Sequence, residues 1–142
     1  MRNLCVICVL LALPLAAEKK AISPPEFAGG TTNFSPGMLV DGTLYVSGQI
    51  GQDLKTKQVP ADFETEVKTV LSNIGIVLKA GGMTYKDVVS VQVYLTDMDL
   101  FPRMNAVYIT FFPDPRPTRT TVGVTKLAAA AAHIEVTVTA KK

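Results

Sequence analysis

Beyond residue 17 the chain has no cysteine, which excludes a disulfide framework, a thiol nucleophile and a cysteine-based metal site. It has one histidine, His133, so no histidine cluster can hold zinc, and a Ser-His-Asp triad would have to use that residue. His133 follows an alanine run beside an expected strand and reads as a surface residue. Lys and Arg never run longer than a pair, and the net charge is only +2. The basic stripe that phosphate neutralisation needs is therefore missing, and no nucleic-acid partner is expected. There is no internal repeat, and the one apolar run, residues 4–13, is shorter than the ~20 residues that span a bilayer.

What is present begins with that run. Arg2 precedes it, and Pro14 with Leu15-Ala16-Ala17 follows before the polar Glu18-Lys19-Lys20. This is the layout of a secretory signal peptide over residues 1–17, with cleavage after Ala17 and a secreted or periplasmic product. No stable membrane insertion of the mature chain is expected. Cys5 and Cys8 have CxxC spacing but lie inside the run without a second ligand pair, so they carry no zinc or redox chemistry. Losing Arg2 leaves 13 basic residues of 14 against 12 acidic. At 142 residues, 48% hydrophobic and 18% charged, the chain has room for one globular domain with a substantial core.

Residues 18–32, with adjacent prolines and Gly29-Gly30, read as an extended arm before a domain over 33–142. Asp41-Gly42 is a type I′ turn signal that joins strands over 37–40 and 43–47. A helix starts at the Asp62 cap, repeats Phe63, Val67, Val70, Leu71, Ile74 and Leu78 on one face, and stops at Gly81-Gly82. Gly75 inside it suggests a close approach of the helix to a sheet. Residues 87–96 alternate as a half-buried strand, with Val89, Val91, Val93 and Leu95 on one face. A second helix has Asp99 as cap, Pro102 in its first turn and Met104, Val107, Tyr108, Phe111 and Phe112 as its apolar stripe. Strands over 118–125 and 133–140 close the chain. The order predicts an α+β fold, a single sheet with two helices on one face.

In the last strand Ile134, Val136 and Val138 point one way and Glu135, Thr137 and Thr139 the other. In the strand before it Thr120, Val122 and Val124 alternate with Arg119, Thr121 and Gly123. Helices covering the apolar sets would leave Arg119 and Glu135 together on the opposite, polar face. That face could simply be wet. Its threonines, its few charges and the stiff approach through Pro113, Pro115 and Pro117 suit an interface better. Arginine is also the natural receptor for a carboxylate, because its planar fork donates two parallel hydrogen bonds.

Five blocks in order, Phe34-Ser-Pro-Gly, Leu44-Tyr-Val-Ser-Gly-Gln-Ile-Gly51, Asn105-Ala-Val-Tyr-Ile-Thr-Phe-Phe112, Pro117-Thr-Arg119 and Ile134-Glu135-Val, resemble the Rid (YjgF) family over essentially the whole mature domain. The resemblance implies a chorismate-mutase-like fold, a homotrimer whose sheets form a central barrel, and active sites in clefts between subunits. It also implies hydrolysis of reactive 2-imino or enamine acids to 2-keto acids and ammonia, with no cofactor and no metal. By position, Arg119 is the arginine that holds the substrate carboxylate and Glu135 the carboxylate that positions or activates water. Asn105, Ser47 and Phe34 match pocket residues, Phe34 standing where tyrosine is common. Thr121, also in the pocket, stands where many members have cysteine. Thr120 replaces a smaller residue, Thr137 stands where a second glutamate often follows, and the loop before Glu135 is slightly longer. The implied ligand is a small 2-imino or 2-keto carboxylic acid. The alternatives are a non-catalytic trimer that binds small carboxylates and a ribonuclease or translation inhibitor.

Overall fold

The computed structural model describes residues 18–28 and 33–142; the expected signal peptide lies outside the described residues. The elements are β1 (Lys19–Ile22), β2 (Gly37–Val40), β3 (Thr43–Ile50), α1 (Phe63–Ala80), β4 (Val88–Leu95), α2 (Phe101–Tyr108), β5 (Thr118–Gly123) and β6 (Ile134–Lys141), with short 3₁₀ turns before β4 and α2. They form one mixed sheet in the order β1-β2-β3-β6-β4-β5. All neighbours are antiparallel except β4 and β5, whose parallel pairing is made by the crossover through α2. Four residues of the expected arm thus form an edge strand, β1, paired with β2.

The β2–β3 turn has the conformation its residues favour, with Asp41 at φ 47° and Gly42 at φ 69°. In α1 the Asp62 side chain accepts from the Thr65 N–H at 2.8 Å, and the predicted apolar stripe is buried throughout. Gly82, at φ 73°, takes the left-handed position past the helix end. Gly75 makes room for the Tyr85 ring rather than for the sheet; the Tyr85 hydroxyl donates to the Leu71 carbonyl at 2.7 Å. Burial pushes that phenol up to about 12.

Both helices share one core with β3, β4 and β6, built from Leu44, Val46, Val91, Val93, Val136 and Val138 beneath the α1 stripe and Met104, Val107 and Phe112. The other face of the sheet is uncovered in the single chain. Three expectations need correction. Val89 is exposed, not part of the buried face, because the β4–β6 register shifts between Val88 and Ser90 and reverses the parity there. Asp97, not Asp99, supplies the cap before α2, accepting from the Asp99 N–H at 2.9 Å to start a 3₁₀ turn. The helix itself ends at Tyr108; Thr110 donates its hydroxyl to the Val107 carbonyl at 2.7 Å, and Phe111 and Phe112 pack from the turn beyond.

Candidate active site

The first half of the site grows from Ser47-Gly48-Gln49 near the end of β3. Here the pairing with β6 slips between Val46 and Gln49, so Gln49 turns into the core and Ile50 stands opposite Glu135. Gly48 lies at this slip, and the Glu135 carboxylate rests directly on it: a methyl group at Gly48 would collide with Oε1. The Ser47 hydroxyl donates to the Ser35 carbonyl at 2.7 Å, and the Ser47 N–H donates to Pro36 at 3.0 Å. Ser47 therefore anchors the segment carrying Phe34, which is 54% exposed. Gly48 is a wall of two hollows. One, of about 230 Å³, also has Phe34, Ile50, Leu54 and Lys57 around it. The other, of about 420 Å³, contains Glu135, Thr137, Tyr94 and Lys126.

The second half is built on β5. Arg119 stands opposite Val91 and Thr121 opposite Val93, so both point to the face that the helices cover. Phe101, Asn105 and Tyr108 follow one another at helical spacing along α2, on the stripe that meets them. The Arg119 guanidinium carbon lies 4.5 Å from the Tyr108 ring centre and 5.5 Å from that of Phe101, within range of cation–π attraction to both. None of the ion pairs among the described residues uses Arg119, so its donor fork is not engaged by a carboxylate. The hydroxyls of Tyr108 and Thr121 are buried without a hydrogen-bond partner. Burial raises the Tyr108 phenol above its ordinary value, with Arg119 and then Arg116 pulling it back.

The two halves do not meet within one chain. Glu135 stands opposite Tyr94 on the uncovered face, whereas Arg119 is on the helix side of the outermost strand. The expectation that Arg119 and Glu135 share the polar face is corrected accordingly. Parity in β5 is set by its register with β4, which puts Val122, 40% exposed, on the uncovered face in place of Arg119. An arginine is tolerated on the helix side because the α2 aromatics cover its flat face and the sheet edge leaves its fork free.

Sequence reasoning missed Glu66. It is fully buried in α1 and accepts from the His133 N–H at 2.7 Å, from His133 Nδ1 at 2.8 Å and from the Ile134 N–H at 3.3 Å. His133 is half exposed, as a surface residue would be, yet it is tied down. The available signal was a carboxylate three residues after Phe63, inside the apolar stripe of α1. Among the described residues no group of three or more His, Cys, Asp or Glu side chains is placed to hold a metal ion, and no helix is long and apolar enough to cross a membrane.

The family model for endoribonuclease L-PSP matches residues 27–142, which take in both halves of the site. The chain belongs to the Rid (YjgF) family. A 2-iminobutanoate/2-iminopropanoate deaminase of Rattus norvegicus is 38% identical over 110 residues, 77% of this chain and 80% of that protein. A RutC family protein of Saccharolobus solfataricus is 43% identical over 110 residues, 77% of this chain and 86% of that protein. Among solved structures, E. coli TdcF with bound serine is 28% identical with a TM-score of 0.80, and the likeness covers 87% of this chain and 98% of that one. Rid structures thus share the single mixed sheet with two helices.

Proposed function

We propose that the protein hydrolyses small 2-imino acids to 2-keto acids and ammonia, at a cleft between subunits of a homotrimer. The observation that carries this reading is the division of the site. An unpaired arginine on an aromatic platform and a carboxylate over a glycine are the two groups the reaction needs, and they lie on opposite faces of the sheet. A neighbouring subunit that brings its Arg119, Asn105 and Thr121 against Phe34, Gly48 and Glu135 completes the cleft. The relatives named as 2-iminobutanoate/2-iminopropanoate deaminases support the reaction class, and the serine bound to TdcF supports a ligand with an amino-acid carboxylate.

The chemistry asks little more. Arg119 donates two hydrogen bonds to the substrate carboxylate and so fixes the position of C2. The imine carbon is electrophilic once its nitrogen is protonated, so no covalent nucleophile is required. Water forms a bond to C2 while Glu135 takes one of its protons as general base. Glu135 returns that proton to the nitrogen of the carbinolamine, and the C2–N bond breaks with its electron pair on nitrogen so that ammonia leaves. The former water oxygen gives up its remaining proton to solvent and becomes the ketone. The expected site of action is outside the cytoplasm, and N-terminal sequencing of the native protein, reading from Glu18, tests that part.

Arg119→Ala tests the reaction itself. With 2-iminobutanoate generated in situ and residual imine trapped by semicarbazide, this variant loses most of the acceleration while its melting temperature stays near wild type. Arg119→Lys recovers part of it, because an ammonium lacks the planar fork. Undiminished imine loss with Arg119→Ala sinks the deaminase reading and leaves carboxylate binding without catalysis in its place.

A further inference from the structure

Lys57 and Asp41 are the two non-glycine residues with a left-handed backbone among the described residues, and each sits in a hydrogen-bonded turn, Lys57 in the one closed by the Asp53 N–H donating to the Gln58 carbonyl at 2.9 Å. Lys57, at φ 60°, sits in the loop between β3 and α1. The loop is tightly tied. The Lys57 N–H donates to the Asp53 carbonyl at 2.9 Å, Gln52 Nε2 donates to the Lys57 carbonyl at 2.8 Å, and Asp53 Oδ1 accepts from Lys55 and Thr56 at 2.9 and 2.7 Å. Glycine would hold this conformation freely; an L side chain kept there draws attention to what the side chain does.

Lys57 borders the hollow of about 230 Å³ whose wall includes Gly48, the residue under the Glu135 carboxylate. Phe34, Ile50 and Leu54 make that hollow largely apolar. Its polar amides are already spent on backbone: Gln49 donates to Ser47 at 3.1 Å, Gln52 to Lys57, and Asn73 to Ile50 at 3.2 Å and Gln52 at 2.9 Å. Lys57 is the one charged residue around it, and no ion pair among the described residues uses its ammonium. A mainly apolar hollow bordered by a lysine without an ion-pair partner fits a methylene stem ending in an anion.

We propose that this hollow receives the substrate side chain and that Lys57 makes the enzyme prefer 2-imino dicarboxylic acids, of the size of 2-iminosuccinate and 2-iminoglutarate, over 2-iminobutanoate. The inference rests on the deaminase reading. In it Arg119 holds the carboxylate at C1, Glu135 serves C2, and Lys57 meets the distal carboxylate. Lysine suits this place, since a flexible stem reaches side chains of two lengths where a rigid fork would select one.

The test compares kcat/KM for 2-iminoglutarate with that for 2-iminobutanoate, both made in situ by an amino-acid oxidase. Wild type favours the dicarboxylate. Lys57→Gln lowers the ratio about fivefold, in keeping with a solvent-accessible ion pair, and Lys57→Glu reverses the preference. Lys57→Gly, which keeps the left-handed backbone, lowers the ratio as Lys57→Gln does and so separates the lost charge from a disturbed loop. A ratio within twofold of wild type in all three variants overturns the proposal. If wild type accelerates loss of neither imine, the deaminase reading falls and takes this inference with it. If it hydrolyses 2-iminobutanoate and the ratio ignores Lys57, only the inference falls.

Discussion

Gly48 is small because Glu135 needs the space above it. Its backbone lies outside the left-handed region, so alanine is conformationally acceptable there, and the atom it would strike is the far end of a flexible side chain. Gly48→Ala is therefore expected to move the carboxylate rather than the sheet. Displacement of a catalytic group by about 1 Å costs on the order of 100-fold in rate. The expected outcome is a loss of kcat of that order with a melting temperature within a few degrees of wild type; full activity in a normally folded variant would remove Glu135 from the mechanism. At this scale the strand pattern was legible in β6 and not in β5. Arg119 and Glu135 stand out by resemblance. The face of Glu135 follows from the clean alternation of β6, but that of Arg119 does not, because in β5 Val122 on one side and Thr121 on the other give alternation too weak to choose between. The role of Ser47 was equally hidden, since its hydroxyl meets the carbonyl of Ser35, twelve residues away.

Elements with a strong period were legible and those defined by partners were not. α1 has its cap, stripe and stop in local sequence, and all are where the pattern puts them. β1 is a four-residue strand, mostly exposed, that exists through pairing with β2, and nothing in Lys19-Lys20-Ala21-Ile22 announces this. The slips in β3 and β4 follow from pairing register, which a strand does not encode by itself. Glu66 joins the two kinds of element: it reaches from α1 to the first residues of β6 and so fixes the strand that carries Glu135. Glu66→Ala leaves the His133 and Ile134 N–H groups without their acceptor and opens space beside Gly51, whose packing is against Glu66. The expected loss is about 3 kcal/mol, read as a lower urea midpoint at unchanged slope. Glu66→Gln keeps one acceptor oxygen and loses less. A midpoint equal to wild type in Glu66→Ala would mean that the β6 start is held by packing alone.

On the scale of the whole molecule, the proposed cleft needs a second copy of the chain. Its uncovered sheet face displays Tyr45 at 53% exposure and Val122 at 40% among threonines, a mixture that suits contact better than open water. The same face carries Glu135, while Arg119 stands on the edge strand β5 and points to the other side. A closed three-fold arrangement would cover the face and pair each Glu135 with Arg119 of the partner subunit, the same contact repeated around the axis. This makes a prediction that no single-chain site can satisfy. Arg119→Ala and Glu135→Gln are each inactive alone, but in a mixed trimer some clefts take an intact Glu135 from one variant and an intact Arg119 from the other. Equal amounts, unfolded together and reassembled at random, are expected to recover about a quarter of wild-type activity, since each cleft draws its two halves independently from neighbouring subunits. Sedimentation equilibrium of the same sample checks that the recovered species is the trimer. If the mixture stays as inactive as its parents while wild type treated identically regains its activity, both groups belong to one chain's site and the shared cleft is wrong.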